Sequence, residues 1–440
     1  MDKLPVTYFD LIVIGGGVAG IQAALWAKKL QPSKSIALVS DETIMYSRPS
    51  LTAVISGAVR DVGKIEIYSP QNFKDSGVHL LSKLEILKIQ HSTHTVSSRK
   101  KDCKQPVCSP DLAYGKLILA TGANPSVPEI EGLELRGVFT IRRFEEALAT
   151  SNFISSGMTA HVVGAGFVGL DAAEALARRG LDVTLIVRSR ILRGILEQDL
   201  SEALIERAQK YGVRILNGTA LASIRGHQKV EHLVIEGKTL KTDIVVFATG
   251  VEPETKLAQS MGLALAKNGA IRTDEKMQTS LDGVYATGDC SETIDFVSQK
   301  KVYRPLGSIA AFTARIAGAN AVGVEETYKG IIRKQYNRIF DTEIVSVGLS
   351  TEEAKMLGIK ARALKCTTKK PQMLPFSQLT KNLMRVIVEE DTNIIIGWQA
   401  IGIRQSSFFN QYFCGCISGK RKLEDIESSG LRTDLAFEEA

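Results

Sequence analysis

The stretch Asp10-Leu-Ile-Val-Ile-Gly-Gly-Gly-Val-Ala-Gly20 restricts the fold of this chain more than any other. An apolar, strand-forming run from Leu11 to Ile14 leads straight into Gly15, Gly17 and Gly20, and the Ala-rich residues Ile21 to Leu30 read as a helix. Strand, tight turn and helix in that order open a dinucleotide-binding βαβ unit. Gly15 permits the turn, Gly17 leaves room for a pyrophosphate against the backbone, and Gly20 lets helix and strand pack closely. The free N–H groups where the helix begins, at Val18 and Ala19, then face the phosphates.

One glycine motif is weak evidence, because glycine-rich turns are common. Here it recurs. His161-Val-Val-Gly-Ala-Gly-Phe-Val-Gly169 repeats the spacing at Gly164, Gly166 and Gly169. Phe167 and Val168 follow the second glycine, and a helix is read from Leu170 to Arg179. Two units predict two bound nucleotides, one able to pass electrons to the other.

The chain has 440 residues, enough for two or three domains with ample core. Its hydrophobic content of 44% and charged content of 23% are those of a soluble globular enzyme. The net charge of +7 is spread over short runs such as Arg99-Lys100-Lys101 and Lys420-Arg421-Lys422, which read as solvated faces. A second use for them is attraction of acidic ligands or an acidic redox partner. The absence of a basic helix or an aromatic-basic platform argues against nucleic acid as a partner. No apolar run is long enough to span a bilayer. The N-terminal apolar segment completes a strand rather than a leader, so the expected location is cytoplasmic. Six cysteines in a chain this long read as reduced thiols.

Along the chain, a second strand from Ser35 to Val39 ends in Ser40-Asp41-Glu42. An acid about 20 positions beyond the glycines is where ribose hydroxyls are accepted. Asp41 and Glu42 both fit, and Glu42 lies nearer the expected loop tip. Val78 to Ile89 read as paired strands, and Tyr114 to Gly122 as a strand ending in the small-residue turn Ala120-Thr121-Gly122. Pro125 and Pro128 mark a linker. In the second unit, the strand Asp182 to Val187 runs into Arg188-Ser189-Arg190, with no acid at the ribose position. Arginines there suit a 2′-phosphate and favour NADPH over NADH. The run Asp243 to Gly250 ends in another Ala-Thr-Gly turn.

Gly283 to Asp289 is a strand ending in Gly288-Asp289, whose carboxylate could accept hydrogen bonds from the polyol chain of a flavin. Arg304-Pro-Leu-Gly-Ser308 leads into a helix from Ile309 to Ala321. From about Gly330 the pattern changes. Strands at Glu343–Val347, Met384–Glu389 and Ile394–Gln399 alternate with helices at Thr351–Leu357 and Leu423–Glu427, the pattern of an α+β terminal domain.

With both glycine motifs, both Ala-Thr-Gly turns and the Gly-Asp motif, the chain resembles the two-dinucleotide-domain flavoproteins of the pyridine nucleotide-disulfide oxidoreductase superfamily. It is similar in particular to the NADH oxidases, coenzyme A disulfide reductases and ferredoxin reductases. Arg304-Pro-Leu-Gly-Ser308 and Ile344-Val-Ser-Val-Gly-Leu-Ser350 resemble the oxidases, and Tyr46-Ser47-Arg48-Pro49 the ferredoxin reductases. The resemblance implies an α/β fold with two doubly wound domains and a C-terminal α+β dimerisation domain. FAD would occupy residues 1–122 and 249–328, NAD(P) an inserted domain at 123–248, and dimerisation residues 329–440. It implies FAD at Gly15, Gly17, Val18, Ala19, Gly20, Asp41 or Glu42, Arg48, Pro49, Ile86, Ala120, Thr121, Gly122, Gly288, Asp289 and Leu306. The nicotinamide nucleotide falls at Gly164, Gly166, Phe167, Val168, Gly169, Arg188, Arg190 and Gly250. In the family a glutamate near the nicotinamide follows the second glycine motif. Asp171 holds that place here, and is the expected catalytic residue.

One departure is chemical. Disulfide-reducing members and water-forming oxidases carry a reactive cysteine in the loop after the second strand. Aligned on Ser56-Gly57, this chain has Pro49 there, and no cysteine precedes Cys103. A thiolate must touch the flavin to exchange electrons with it, and this loop supplies none. The lysine that ferredoxin-reductase relatives place after the Arg-Pro is replaced by Ala53. Cys414-Gly-Cys416 reads first as two small core residues and second as a redox pair. Cys103 and Cys108 read as part of a hairpin and make a poor zinc site. The expected activity is hydride transfer from NAD(P)H to flavin N5, then electron delivery to oxygen, a small redox protein, or a sulfur or quinone species. The alternative is an electron-transfer or redox-sensing component that works through a partner protein. A homodimer is expected.

Overall fold

The computed structural model describes residues 6–101, 111–368, 383–402, 406–428 and 435–439. The first sheet is built on β1 (Thr7–Ile14), whose residues Leu11 to Ile14 are all buried. It is followed by α1 (Val18–Leu30) and by β2 (Ile36–Val39), a strand buried on both faces as a central parallel strand must be. The helix starts at Val18, three residues before the apolar pattern begins, because Gly17 is its N-cap. Its small buried residues, Ala19, Ala23, Ala24 and Ala27, let it lie close to the sheet.

After β2 the chain makes a short turn, Arg48–Ser50, and the single-turn helix α2 (Leu51–Ile55). It then enters β3 (His79–Leu81), β4 (Leu84–Gln90), β5 (Thr95–Lys100) and β6 (Leu112–Leu119). The hydrogen-bonding order is β3-β2-β1-β6-β5-β4. The expectation that Val78 to Ile89 form strands paired with each other is therefore corrected. β3 joins β2 and β4 joins β5, at opposite ends of that order. Lys83, with φ of +57°, turns the chain sharply between them. The loop carrying Cys103 and Cys108 lies outside the described residues.

The chain leaves this sheet through Ala123–Pro125 and returns through Val251–Pro253, and the two crossings pair antiparallel as a two-stranded ribbon. Ser126 Oγ donates to Glu252 at 2.7 Å across it. Between the crossings lies the second nucleotide unit: β7 (Val138–Thr140), α3 (Phe144–Phe153), β8 (Thr159–Val163), α4 (Phe167–Arg178) and β9 (Asp182–Val187). It continues through α5 (Gln198–Lys210), β10 (Arg214–Asn217), a three-stranded antiparallel meander and β11 (Ile244–Phe247). Its sheet is wholly parallel, in the order β7-β11-β8-β9-β10. Strand β12 (Val284–Ala286) then rejoins the first sheet beside β6, and α6 (Gly307–Ala321) packs its Ala-rich face on α1.

The terminal domain comprises β13 (Lys334–Ile339), β14 (Thr342–Gly348), α7 (Thr351–Met356), β15 (Ala361–Thr368), β16 (Leu383–Glu389), β17 (Ile395–Ile401), α8 (Ser406–Ser418) and β18 (Leu435–Glu439). Its antiparallel sheet runs β13-β14-β17-β16-β15-β18. Trp398 is fully buried in that sheet and stacks on Phe413 of α8 with ring centroids 5.1 Å apart. Among the described residues no helix is long and apolar enough to cross a membrane.

Candidate functional site

The two glycine turns have the same construction. Gly15 has φ of +120°, and a side-chain carbon there would overlap the carbonyl oxygen of Ala120 at the end of β6. Gly164 has φ of +108° and stands in the same relation to the carbonyl of Ala248 after β11. Gly20 and Gly169 each press on the carbonyl of the first glycine of their own motif. Gly17 and Gly166 differ from these: no protein atom lies within 4 Å of where their Cβ would be. Each is the N-cap of its helix, α1 or α4, with no side-chain cap on the exposed N–H groups. Open space before an uncapped helix start is a cradle for phosphate. Val18, the first residue after Gly17, and Val168, the second after Gly166, remain 37% and 48% exposed.

The first cradle is closed by three further elements. Gly288, with φ of +78°, brings the turn after β12 so close to α1 that a Cβ would come within 2.7 Å of the Ala19 methyl. Asp289 follows, and burial raises its carboxyl above the ordinary range while Arg142 and Arg48 oppose the rise. Leu306 is the extended residue before α6, a third helix start without a side-chain cap. Thr121 Oγ donates to the Glu254 carbonyl at 2.5 Å, which ties the Ala120-Thr121-Gly122 turn to the returning crossing. Ile86 lies half-buried in β4, packed against the core cluster of the first sheet.

The acids after β2 separate. Asp41 takes Lys101 at 2.7 Å and Arg143 at 2.8 Å; burial pushes its carboxyl up, and these two cations outweigh it and hold it below the usual range. Glu42 turns inward, with its side chain only 10% exposed, toward Arg48 at 3.2 Å and the Tyr46 hydroxyl at 3.2 Å. Arg48 also donates to the Arg142 carbonyl at 2.6 Å. Pro49 stands exposed in the turn that follows.

Two residues of this cleft escaped the sequence reading. Ser40 lies against Gly16 and accepts from the Glu42 N–H at 3.1 Å, which fixes the acidic loop to the glycine turn. Arg142 is half-buried, has no hydrogen-bond partner for its guanidinium among the described residues, and reaches within 2.8 Å of a Cβ position on Gly122. Burial first, and Arg48 second, lower its pKa. The only sequence signal for it was the pair Arg142-Arg143 before α3.

Asp171 lies one turn into α4. Burial, with Glu174 adding to it, raises its carboxyl to about 7. The apolar face of α2, just after Pro49, packs in the same core as Leu170 beside it. Arg179 closes this junction, donating to the carbonyl of Ile55 at 3.1 Å, to Ser151 Oγ at 3.2 Å and to the carbonyl of Ile154 at 3.4 Å. The loop expected at the flavin and the helix expected at the nicotinamide thus form one packed unit. Gly250, with φ of +114°, is open on its Cβ side at the end of β11.

The two arginines after β9 also separate. Arg188 is exposed and has no ion pair among the described residues. Arg190 instead turns to the Leu196 carbonyl at 2.9 Å and to Glu352 of α7 at 2.8 Å. Among the described cysteines, Cys290 donates to the Thr287 carbonyl at 3.3 Å in the core, and Cys416 is buried beside Trp398 and Phe413. Burial raises the pKa of both thiols. Among the described residues no three His, Cys, Asp or Glu side chains are grouped to hold a metal ion.

The sequence pattern of the pyridine nucleotide-disulphide oxidoreductases matches residues 9–302. This chain belongs to that family. The pattern of the family's dimerisation domain matches residues 338–429. An NADH oxidase of Methanocaldococcus jannaschii is 33% identical over 350 residues, 78% of this chain and 77% of the relative. The CoA-dependent NAD(P)H sulfur oxidoreductase of Pyrococcus furiosus is 32% identical over 399 residues, 89% and 88% of the two chains. The structure of an NAD-dependent persulfide reductase from A. fulgidus superposes with a TM-score of 0.87 at 29% identity, covering 94% of this chain and 78% of that one. The expected fold of two nucleotide-binding domains and a dimerisation domain is therefore the observed one, and the chain is an FAD-dependent NAD(P)H oxidoreductase.

Proposed function

We propose that this protein is a homodimeric NADPH oxidoreductase whose second acceptor takes electrons at the flavin with no protein thiol between them. The carrying observation is the pair of equivalent glycine cradles, open at Gly17 and Gly166, combined with a sulfur-free loop at Pro49. The first cradle fits FAD. The N–H groups at Val18 and Ala19 face its phosphates, Glu42 would take the ribose hydroxyls, and Arg48 and Arg142 stand as cationic partners around them. Ile86, Ala120 to Gly122, Gly288, Asp289 and Leu306 line the remainder. Bound there, FAD would supply the two-electron centre that accepts hydride and passes electrons on.

Gly164 to Gly169 and Gly250 would hold the nicotinamide nucleotide, and the exposed Arg188 would take a 2′-phosphate. That supports NADPH over NADH. Asp171, titrating at about 7, can hold or exchange a proton within the working pH range. The chain's own contribution is positioning: the ribbon at Ala123–Pro125 sets one domain against the other, and Arg179 fixes α2 on α4.

The relatives named as an NADH oxidase and a CoA-dependent NAD(P)H sulfur oxidoreductase support oxygen or a sulfur species as the acceptor, with small redox proteins and quinones as the other candidates. Because Pro49 replaces the flavin-loop cysteine, a mixed disulfide at that loop is not part of the proposed cycle. Anaerobic reduction by NADPH, followed by rapid mixing with each acceptor class, tests the reading. Fast reoxidation by one small acceptor supports it. Reoxidation only in the presence of a specific redox protein would favour the component role.

A further inference from the structure

The loop between β9 and α5 carries three arginines, Arg188, Arg190 and Arg193, and one carboxylate from another domain engages two of them. Arg190 Nη2 lies 2.8 Å from Glu352 Oε2, and Arg193 Nε lies 2.6 Å from Glu352 Oε1. Each carboxylate oxygen thus takes its own arginine. Glu352 is the second residue of α7, in the dimerisation domain. Its hydrogen bond from Arg193 first, and that from Arg190 after it, hold its carboxyl below the usual range against the effect of burial. It is charged at neutral pH.

We propose that Glu352 is a specificity-determining residue that works against NADPH. It occupies Arg190, one of the two arginines read at the 2′-phosphate position, together with Arg193 three residues on, which leaves Arg188 as the one of the three with no ion pair among the described residues. A phosphate dianion competes with that carboxylate for the same guanidinium groups. The uncharged 2′-hydroxyl of NADH does not compete. The inference rests on the reading of Arg188 as the 2′-phosphate residue. It adds that the preference is set across a domain boundary and that phosphate binding loosens the hold of α7 on the loop.

The docking of the loop does not depend on Glu352 alone. Glu197 accepts from Thr351 N at 2.9 Å and Thr351 Oγ at 2.6 Å, and Ser350 Oγ donates to the Gly194 carbonyl at 3.0 Å. Removing the charge at Glu352 therefore leaves the two domains attached.

The test is calorimetric binding of 2′,5′-ADP and 5′-AMP to the FAD-loaded protein, with no turnover involved. Glu352→Gln is expected to tighten 2′,5′-ADP about three- to tenfold, leave 5′-AMP unchanged, and lose that gain as salt is raised. Unchanged or weaker 2′,5′-ADP binding overturns the proposal. Asp199→Asn removes the Arg385 pair at the same domain boundary and should shift neither probe. An equal shift in that variant would mean domain loosening and would also overturn it. Arg188→Ala separates the two levels. If it leaves the ratio of the two probes untouched, the 2′-phosphate reading itself has failed. If it weakens 2′,5′-ADP while Glu352→Gln is silent, only the role of Glu352 has failed.

Discussion

The guanidinium of Arg179 donates to the main-chain carbonyl of Ile55 at 3.1 Å, which binds the last turn of α2 to the end of α4. The same side chain reaches Ser151 and Ile154 at the end of α3. One arginine therefore sets the flavin loop against the helix that carries Asp171. Replacing it by Leu is expected to cost about 1.5–3 kcal/mol, the range for a charged donor leaving buried acceptors unpaired. Thermal unfolding gives the cost, and the rate of flavin reduction by NADPH should fall with it. An unchanged reduction rate in a folded variant would remove Arg179 from the positioning argument.

Asp171 gives a pH dependence. Its carboxyl titrates near 7 when folded and near 3.8 in the reference state, so between these values the native protein binds the extra proton. The contribution of this group to stability is thus full below about pH 3.8 and declines as pH rises toward 7. Asp171→Asn should abolish that decline. It should also remove an inflection near pH 7 from the rate of reduction by NADPH, and an inflection that persists in the variant would take Asp171 out of that step.

The glycine turns separate fold from binding. Gly164→Ala places a side chain into the Ala248 carbonyl at φ of +108°, so the expected result is a lowered melting temperature. Gly166→Ala meets no protein atom within 4 Å. It should keep the melting temperature and weaken NADPH by about tenfold or more, about 1.4 kcal/mol. Equal effects of the two on stability would contradict the cradle assignment.

Arg304 and Asp295 form a buried pair at 2.8 Å, with side chains 6% and 1% exposed, and Arg304 also holds Glu353 of α7 at 2.7 Å. This network fixes the segment before Leu306 to the terminal domain. Arg304→Met strands the buried carboxylate of Asp295, while Glu353 keeps Arg333 at 3.2 Å, and should destabilise by about 3–5 kcal/mol, visible as an early thermal transition.

Much of this architecture was legible because it rests on local backbone demands. Only glycine tolerates the turns at Gly15 and Gly164, and the strand Asp182–Val187 was bounded correctly by its apolar run. Helix starts were read three residues late, at Ile21 and Leu170, because glycine N-caps give no apolar signal. The pairing of β3 and β4 was misread because β3 takes its parallel partner β2 from about 40 residues earlier in the chain, while β4 pairs antiparallel with the strand that follows it, β5, and the turn at Lys83 signals neither. Arg142 and Glu352 were invisible for a related reason. Each acts on a segment far away in the chain, and its own neighbourhood offers at most the pair Arg142-Arg143 as a mark.

Anaerobic flavin reduction by NADPH, before and after complete alkylation of accessible thiols, tests the central claim most directly. The account predicts that the protein is isolated yellow, that NADPH bleaches it, and that alkylation leaves the rate of bleaching unchanged. Loss of bleaching on alkylation, or protein that retains no flavin when supplied with FAD, would contradict it.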